Sequence, residues 1–143
     1  MKQEELKKFR NLIDEMDSKL MEILIKRASY VKEVGRRKKQ SNLAEFRPER
    51  EVEIIERMCE LNKKLNGNLA SNSIATIWLE IISGCRSLEK RLKIAYLGPP
   101  GTYSELAART LFGHQVVFVP FDSLEEVMAA GEKEECDISL LPV

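Results

Sequence analysis

The stretch LEKRLKIAYLGPPGTYSELAART, residues 88–110, decides the fold, because the chain changes period inside it. Before it, apolar residues recur every three or four positions, which is helical spacing. Within it, Lys93-Ile94-Ala95-Tyr96-Leu97 reads as a short strand that runs into Gly98, Pro99, Pro100 and Gly101, a turn-rich loop. Thr102 or Ser104 then caps a short helix, ELAARTLF. The chain therefore reads as a helical unit over residues 1–92 and a second unit over residues 93–143.

Upstream, one long helix is expected from about Glu4 to about Lys39. Its stripe is Leu6, Phe9, Ile13, Met16, Leu20, Leu24, Val31 and Val34, and no proline interrupts it. At 1.5 Å per residue it would be roughly 50 Å long. That exceeds the width of a domain of this size. The stripe needs a cover, and a second copy of the chain is the expected one. Pro48 suits the first turn of a second helix, which runs to about Leu65 with Val52, Ile55, Met58 or Cys59, and Leu65 inward. Asn66-Gly67-Asn68 stops it. A third helix is expected from about Ser71 or Ser73 to Arg91, with Ile74, Ile77, Trp78, Ile81, Ile82, Cys85 and Leu88 inward.

Downstream, residues 116–119 are β-rich. Ser123, with Glu126 three residues on, forms a capping box for a helix over SLEEVMAAGEKEE. Residues 137–143 read as a third strand. The order β-α-β-α-β is the start of an open, mostly parallel α/β sheet. Three strands and two helices make a small core, so this segment is expected to be the incomplete opening of a longer domain.

Of the 143 residues, 43% are hydrophobic and 32% charged, the balance of a globular, charge-coated protein. The charge is divided. Residues 1–93 carry 21 Lys and Arg against 15 Asp and Glu; residues 94–143 carry 2 against 8. The basic part should attract anions. The short apolar runs exclude a transmembrane helix, and the charged N-terminus lacks a signal peptide's apolar core. No membrane partner is expected. Three cysteines, Cys59, Cys85 and Cys136, read as reduced thiols of a cytoplasmic protein. The lone His114 supports neither a His-rich metal site nor a Ser-His-Asp set.

Charges interrupt the apolar stripes. Arg27 fills the gap between Leu24 and Val31, Lys38 takes the next step after Val34, and Arg10 sits beside Phe9 and Ile13. On the third helix Glu89 takes the next inward step after Cys85. Buried unpaired charges cost several kcal/mol, so such residues need partners or a ligand. Converging cations inside a helical bundle describe a pocket for a small polyanion. Equally, long basic side chains lie along a stripe and reach out to solvent, and Glu89 can pair with Arg86 or Arg91 at the surface. The loop Gly98, Pro99, Pro100, Gly101, Thr102, Tyr103, Ser104 opens a helix, a geometry that aims backbone N–H groups at an anion. It lacks the endings of a P-loop or a dinucleotide fingerprint, and a tight strand-to-helix turn explains it as well.

The residue order carries a resemblance. FRNLIDEMDSKLMEILIKRASYVKEVGRRK, FRPEREVEIIERM and EIISGCRSLEK resemble the all-helical chorismate mutases. KIAYLGPPGTYSELAA, followed later by LPV, is similar to the opening of the prephenate dehydratases. Together, in this order, they resemble the N-terminal portion of the bifunctional mutase–dehydratase enzymes of phenylalanine biosynthesis. The resemblance implies an all-α, three-helix mutase domain that forms an intertwined helical homodimer with shared active sites. An incomplete α/β segment follows it, lacking the dehydratase's later catalytic motif.

The resemblance also implies roles. Arg10 would reach into the partner copy's site and bind a substrate carboxylate. Arg27 would bind a carboxylate in its own chain's site. Lys38 would donate to the ether oxygen and a carboxylate. Glu51 would accept from the ring hydroxyl, with Arg50 supporting the site, and Glu89 would face the ether oxygen. Arg47 stands where some members carry an aspartate, Cys85 where some carry a serine, and Glu89 where some carry a glutamine.

Conversion of chorismate to prephenate is pericyclic and needs no nucleophile, metal or cofactor. It needs a flexible dianion held in a compact chair, which fixed arginines can do. The breaking C–O bond puts negative charge on the ether oxygen, and a donor aimed there favours the transition state over the ground state. An ionised Glu89 would repel that charge, so Glu89 is expected to be held protonated by burial and to donate. Two other classes remain open. One is a non-catalytic helical dimer that binds a small anion for regulation. The other is a nucleic-acid-binding dimer using Arg36, Arg37, Lys38 and Lys39, against which the short basic run lacks interleaved aromatics.

Overall fold

The computed structural model describes residues 1–43, 47–88 and 90–142. Its elements are α1 (Lys2–Gln40), α2 (Pro48–Lys64), α3 (Ser71–Arg86), β1 (Lys93–Leu97), α4 (Tyr103–Phe112), β2 (Val117–Phe121), α5 (Leu124–Glu132) and β3 (Ile138–Leu140). The helical-then-α/β order is the one expected from the sequence. The chain divides into two compact units, residues 1–43 and 44–143.

The first unit is α1. Glu4 and Glu5 sit in its first turn and Arg37, Lys38 and Lys39 in its last, the charge placement a helix dipole favours. Its apolar residues are largely uncovered: Phe9, Ile13, Leu20 and Ile23 are each more than half exposed. Around Arg27 the helix is drier. Leu24, Arg27, Ala28, Val31 and Lys38 are half-buried and Gly35 is buried.

In the second unit α2 starts with Pro48 at its first turn, as the missing N–H there requires. It packs on α3. Asn62 Nδ2 donates to Leu69 O at 2.9 Å, pinning the connection between the two helices. Ile55, Met58 and Cys59 are half-buried, but Val52 and Leu65, expected inside, are exposed. In α3, Ile74, Ile82 and Cys85 are buried, whereas Ile77 and Leu88 are exposed. The helix ends at Arg86, not Arg91. The Ser87 amide meets Ser83 O, its hydroxyl donates to Gly84 O at 2.7 Å, and the Leu88 amide tightens onto Cys85 O. Lys90 reaches instead to Asp137, at 2.9 Å.

The sheet has the order β2-β1-β3 with both pairs parallel. The chain moves from the central strand to one edge and then across to the other. Two crossovers of one hand then place their helices on opposite faces. The packing agrees. Ile94 and Leu92 join Ala108 and Val116 on the α4 side, while Ala95 joins Val127, Ala130 and Cys136 on the α5 side. Alternation along β1 thus feeds two thin cores.

Strand boundaries shift from the sequence reading. β2 runs to Phe121 through Pro120, and Val116 lies just before it, buried. β3 is only three residues. Just before it, Asp137 meets the start of β1 twice, its amide donating to Lys93 O and its carboxylate accepting from the Lys93 amide, each at 2.8 Å, and just after it Pro142 has no amide to donate. The expected capping box forms: the Glu126 amide donates to Ser123 Oγ at 3.2 Å. In return the Glu126 carboxylate accepts from Asp122 N at 3.0 Å, one residue ahead of the cap.

Candidate functional site

Arg27 and Lys38 are eleven residues apart, about three turns, so they lie on one face of α1. Arg27 Nη1 is shut off from solvent and meets no hydrogen-bond acceptor among the described residues. A sealed guanidinium nitrogen without a partner is costly, and an anionic ligand would relieve that cost. Neither Arg27 nor Lys38 has a carboxylate partner among the described residues, and neither does Arg10, which is exposed.

The adjacent cations are spoken for. Glu33 holds Arg36 at 2.7 Å and Arg37 at 2.9 Å. The Arg36 hydrogen bond, then that of Arg37, holds the Glu33 carboxyl at about 2. Glu33 offsets one of these two charges, and both pairs are well exposed. Arg27 and Lys38 are the half-buried cations of α1 without a carboxylate partner among the described residues.

In the second unit, Arg47 lies 3.9 Å from Glu49 and Arg50 lies 3.3 Å from Glu53, both pairs well exposed. Such pairs contribute little. Glu51 differs. It forms an ion pair with Arg86 in which both side chains are only 15% exposed. Burial pushes the Glu51 carboxyl up and Arg86 pulls it back only in part. Its Oε1 meets Arg86, and its Oε2 meets no donor among the described residues. Cys85, the residue before Arg86, is buried at the end of α3. Glu89 lies outside the described residues.

The dehydratase-like loop forms an open cavity of about 770 Å³ lined by Gly101, Thr102, Tyr103, Glu105, Leu106 and Arg109. Gly98 donates its amide to Phe121 O at 2.9 Å, anchoring the loop to β2. A positive φ of 87° suits Gly101, and its amide donates to Glu105. Glu105 is also paired with Arg109 at 2.8 Å. The Gly101 amide, then Arg109, lowers the Glu105 carboxyl. The anion that meets this amide is thus the chain's own. Thr102 is the N-cap residue, but its hydroxyl turns back to Leu97 O at 3.5 Å and Ser104 lies within the helix. Tyr103 is almost fully exposed and Pro99 is exposed.

Among the described residues no three of His, Cys, Asp and Glu converge as metal ligands would. No described helix is long and apolar enough to cross a membrane.

Residues 9–90 match the sequence model of the type II chorismate mutases. The chain belongs to that family. Residues 94–143 match the model of the prephenate dehydratases. The bifunctional chorismate mutase/prephenate dehydratase of Aquifex aeolicus is 38% identical over 141 residues, covering 98% of this chain and 39% of that protein. Its counterpart in Pseudomonas aeruginosa is 37% identical over 147 residues, covering 99% and 39%. That of Stutzerimonas stutzeri is 35% identical over 145 residues, covering 98% and 39%. The chain thus spans about two fifths of the length of these curated relatives. No solved structure gave a significant match.

Arg86 is expected from the sequence only as a surface partner for Glu89. In the structure it joins Glu51, Ser83 and Phe112. The signal was present: Glu80, Ser83 and Arg86 recur every three residues and share one face of α3.

Proposed function

We propose that residues 1–92 convert chorismate to prephenate, in the cytoplasm and as a homodimer, and that residues 93–143 open a prephenate dehydratase-like domain. Membership of the type II chorismate mutases supports the reaction. The observation that carries the site is the sealed Arg27 nitrogen without an acceptor, one face with an unpaired Lys38. Together they suit a small dianion.

The chemistry assigns the roles. Arg27 binds one substrate carboxylate and fixes the chair. Lys38 donates to the ether oxygen, where negative charge grows as the C–O bond breaks, and so lowers the barrier. Glu51 offers its unmet Oε2 to the ring hydroxyl. Glu89, protonated, donates to the ether oxygen. Arg10 lies 17 positions before Arg27, about 25 Å along α1. No single chorismate could touch both arginines of one helix, so Arg10 serves the second copy's site. Arg50 and Arg47 add positive charge at the start of α2. Cys85 packs at the end of α3.

The test is chorismate consumption by the purified chain, with prephenate and phenylpyruvate quantified, beside Arg27→Ala. Prephenate should accumulate, and Arg27→Ala should lose at least about a hundredfold of that rate. A well-folded chain without turnover would end this reading in favour of a binding module. Phenylpyruvate formed faster than prephenate decays unaided would mean that residues 93–143 already dehydrate.

A further inference from the structure

Arg86, the last residue of α3, is gripped from two sides. Nη1 donates to Glu51 on α2, while Nη2 donates to Phe112 O at 3.2 Å and lies 3.5 Å from Ser83 Oγ. Phe112 ends α4, so its carbonyl is at the negative end of that helix's dipole, where a cation is favoured. The face of α3 that carries Arg86 makes two more fastenings to the same corner. Glu80 Oε1 lies 2.6 Å from His114 Nδ1. Gly113, at φ 75°, comes so near α3 that an added Cβ would be 3.0 Å from Ser83 Cβ. Ser83 is itself fully buried. This corner belongs to the stretch that matches prephenate dehydratase, and Glu51 belongs to the stretch that matches the mutase.

Resting on the function proposed above, we infer that Arg86 is a positioning residue for the rearrangement. It turns Glu51 so that Oε2 faces the substrate, and the α4–β2 corner braces it from behind. An ordinary ion pair would need only the Glu51 contact. A planar fork held on both edges fixes the carboxylate's orientation as well as its charge. The mutase helices would then depend on the α/β segment for the set of one binding group. The hydroxyl's own bonds neither form nor break in the rearrangement, so a contact to it that is made alike in ground and transition states is lost mainly in KM and little in kcat.

The experiment is steady-state chorismate turnover by the whole chain, with folding checked by circular dichroism. Arg86→Gln should raise KM about tenfold and leave kcat within about threefold. Glu51→Gln should cost at least as much, and the double variant should be no worse than Glu51→Gln alone. Arg86→Lys keeps the charge but cannot span both edges, so its KM should lie between. Gly113→Ala, which crowds the corner and leaves Arg86 and Glu51 intact, should raise KM in the same direction by a few fold.

A KM unmoved in Arg86→Gln overturns the inference, as does a loss that adds in full to that of Glu51→Gln. If Arg86→Gln does not fold, an unmoved KM in both Arg86→Lys and Gly113→Ala overturns it equally. An inactive wild-type chain defeats the mutase reading itself, and this inference with it. An active wild type with unmoved variants defeats only the positioning role.

Discussion

Glu33 takes Arg36 and Arg37, and of the lysines that follow, Lys38 is half-buried while Lys39 is exposed. On the role proposed for it, Lys38 meets the substrate's ether oxygen. Lys38→Ala should therefore lower kcat by about a hundredfold or more, with a much smaller change in KM, because the charge it meets is largest in the transition state. Arg36→Ala, read in the same assay, should stay within about threefold, since Arg36 is committed to Glu33 at the surface. Glu89 makes a prediction of opposite character. If a protonated carboxyl donates to the ether oxygen, turnover rises as pH falls, because the donor form is the acid. Glu89→Gln, which always carries a donor, should flatten that profile. A wild-type profile already flat between acidic and neutral pH would refute the protonated role. Arg27 and Lys38 were legible in the sequence because each breaks an apolar stripe. For Arg86 the spacing with Glu80 and Ser83 marks a polar face of α3 but not what that face meets, because its partners Glu51 and Phe112 are 35 and 26 residues away and no periodicity connects it to them.

Among the elements, helices were read almost to the residue where caps and proline mark them. α2 begins at Pro48, and α5 begins after the Ser123 cap. Boundaries failed where a side chain from elsewhere decided them. α3 stops short of Arg91 and β3 starts late, and both failures involve Asp137. Its carboxylate draws in Lys90 at 2.9 Å and the Lys93 amide at 2.8 Å, joining the end of the helical part to the first strand. Burial alone would raise the Asp137 carboxyl, but the Lys93 amide and Lys90 outweigh it and leave it below its ordinary 3.8. A depressed folded-state value stabilises the fold above the unfolded value, and that stability is lost as pH falls through the folded one. Asp137→Ala should therefore destabilise by about 1 kcal/mol at pH 7, and the gap should shrink below about pH 3. Urea unfolding of both proteins at equal chain concentration reads this directly. An equal gap at both pH values would assign the loss to packing instead of charge.

For the whole molecule, α1 is the unsolved surface of a single chain. Phe9 is 62% exposed and Leu20 63% exposed, on a helix of 39 residues. A long apolar stripe left in water is a demand for a partner. The same helix separates Arg10 from Arg27 by about 25 Å, too far for one small dianion. Both facts are met if two copies pair along α1 and each lends its Arg10 to the other's site. Leu20→Asp should then weaken the dimer, and turnover per chain should fall on dilution.

A sharper experiment mixes two inactive proteins. Arg10→Ala and Arg27→Ala are denatured together and refolded so that copies exchange. A mixed pair has one site with both substitutions and one site with neither. Random pairing makes half the dimers mixed, so about a quarter of wild-type turnover should return from two proteins that have almost none. Sites built within one chain would return nothing, since every chain in the mixture carries a lesion. Restored turnover would thus establish the pairing and the division of the site between copies in the same assay.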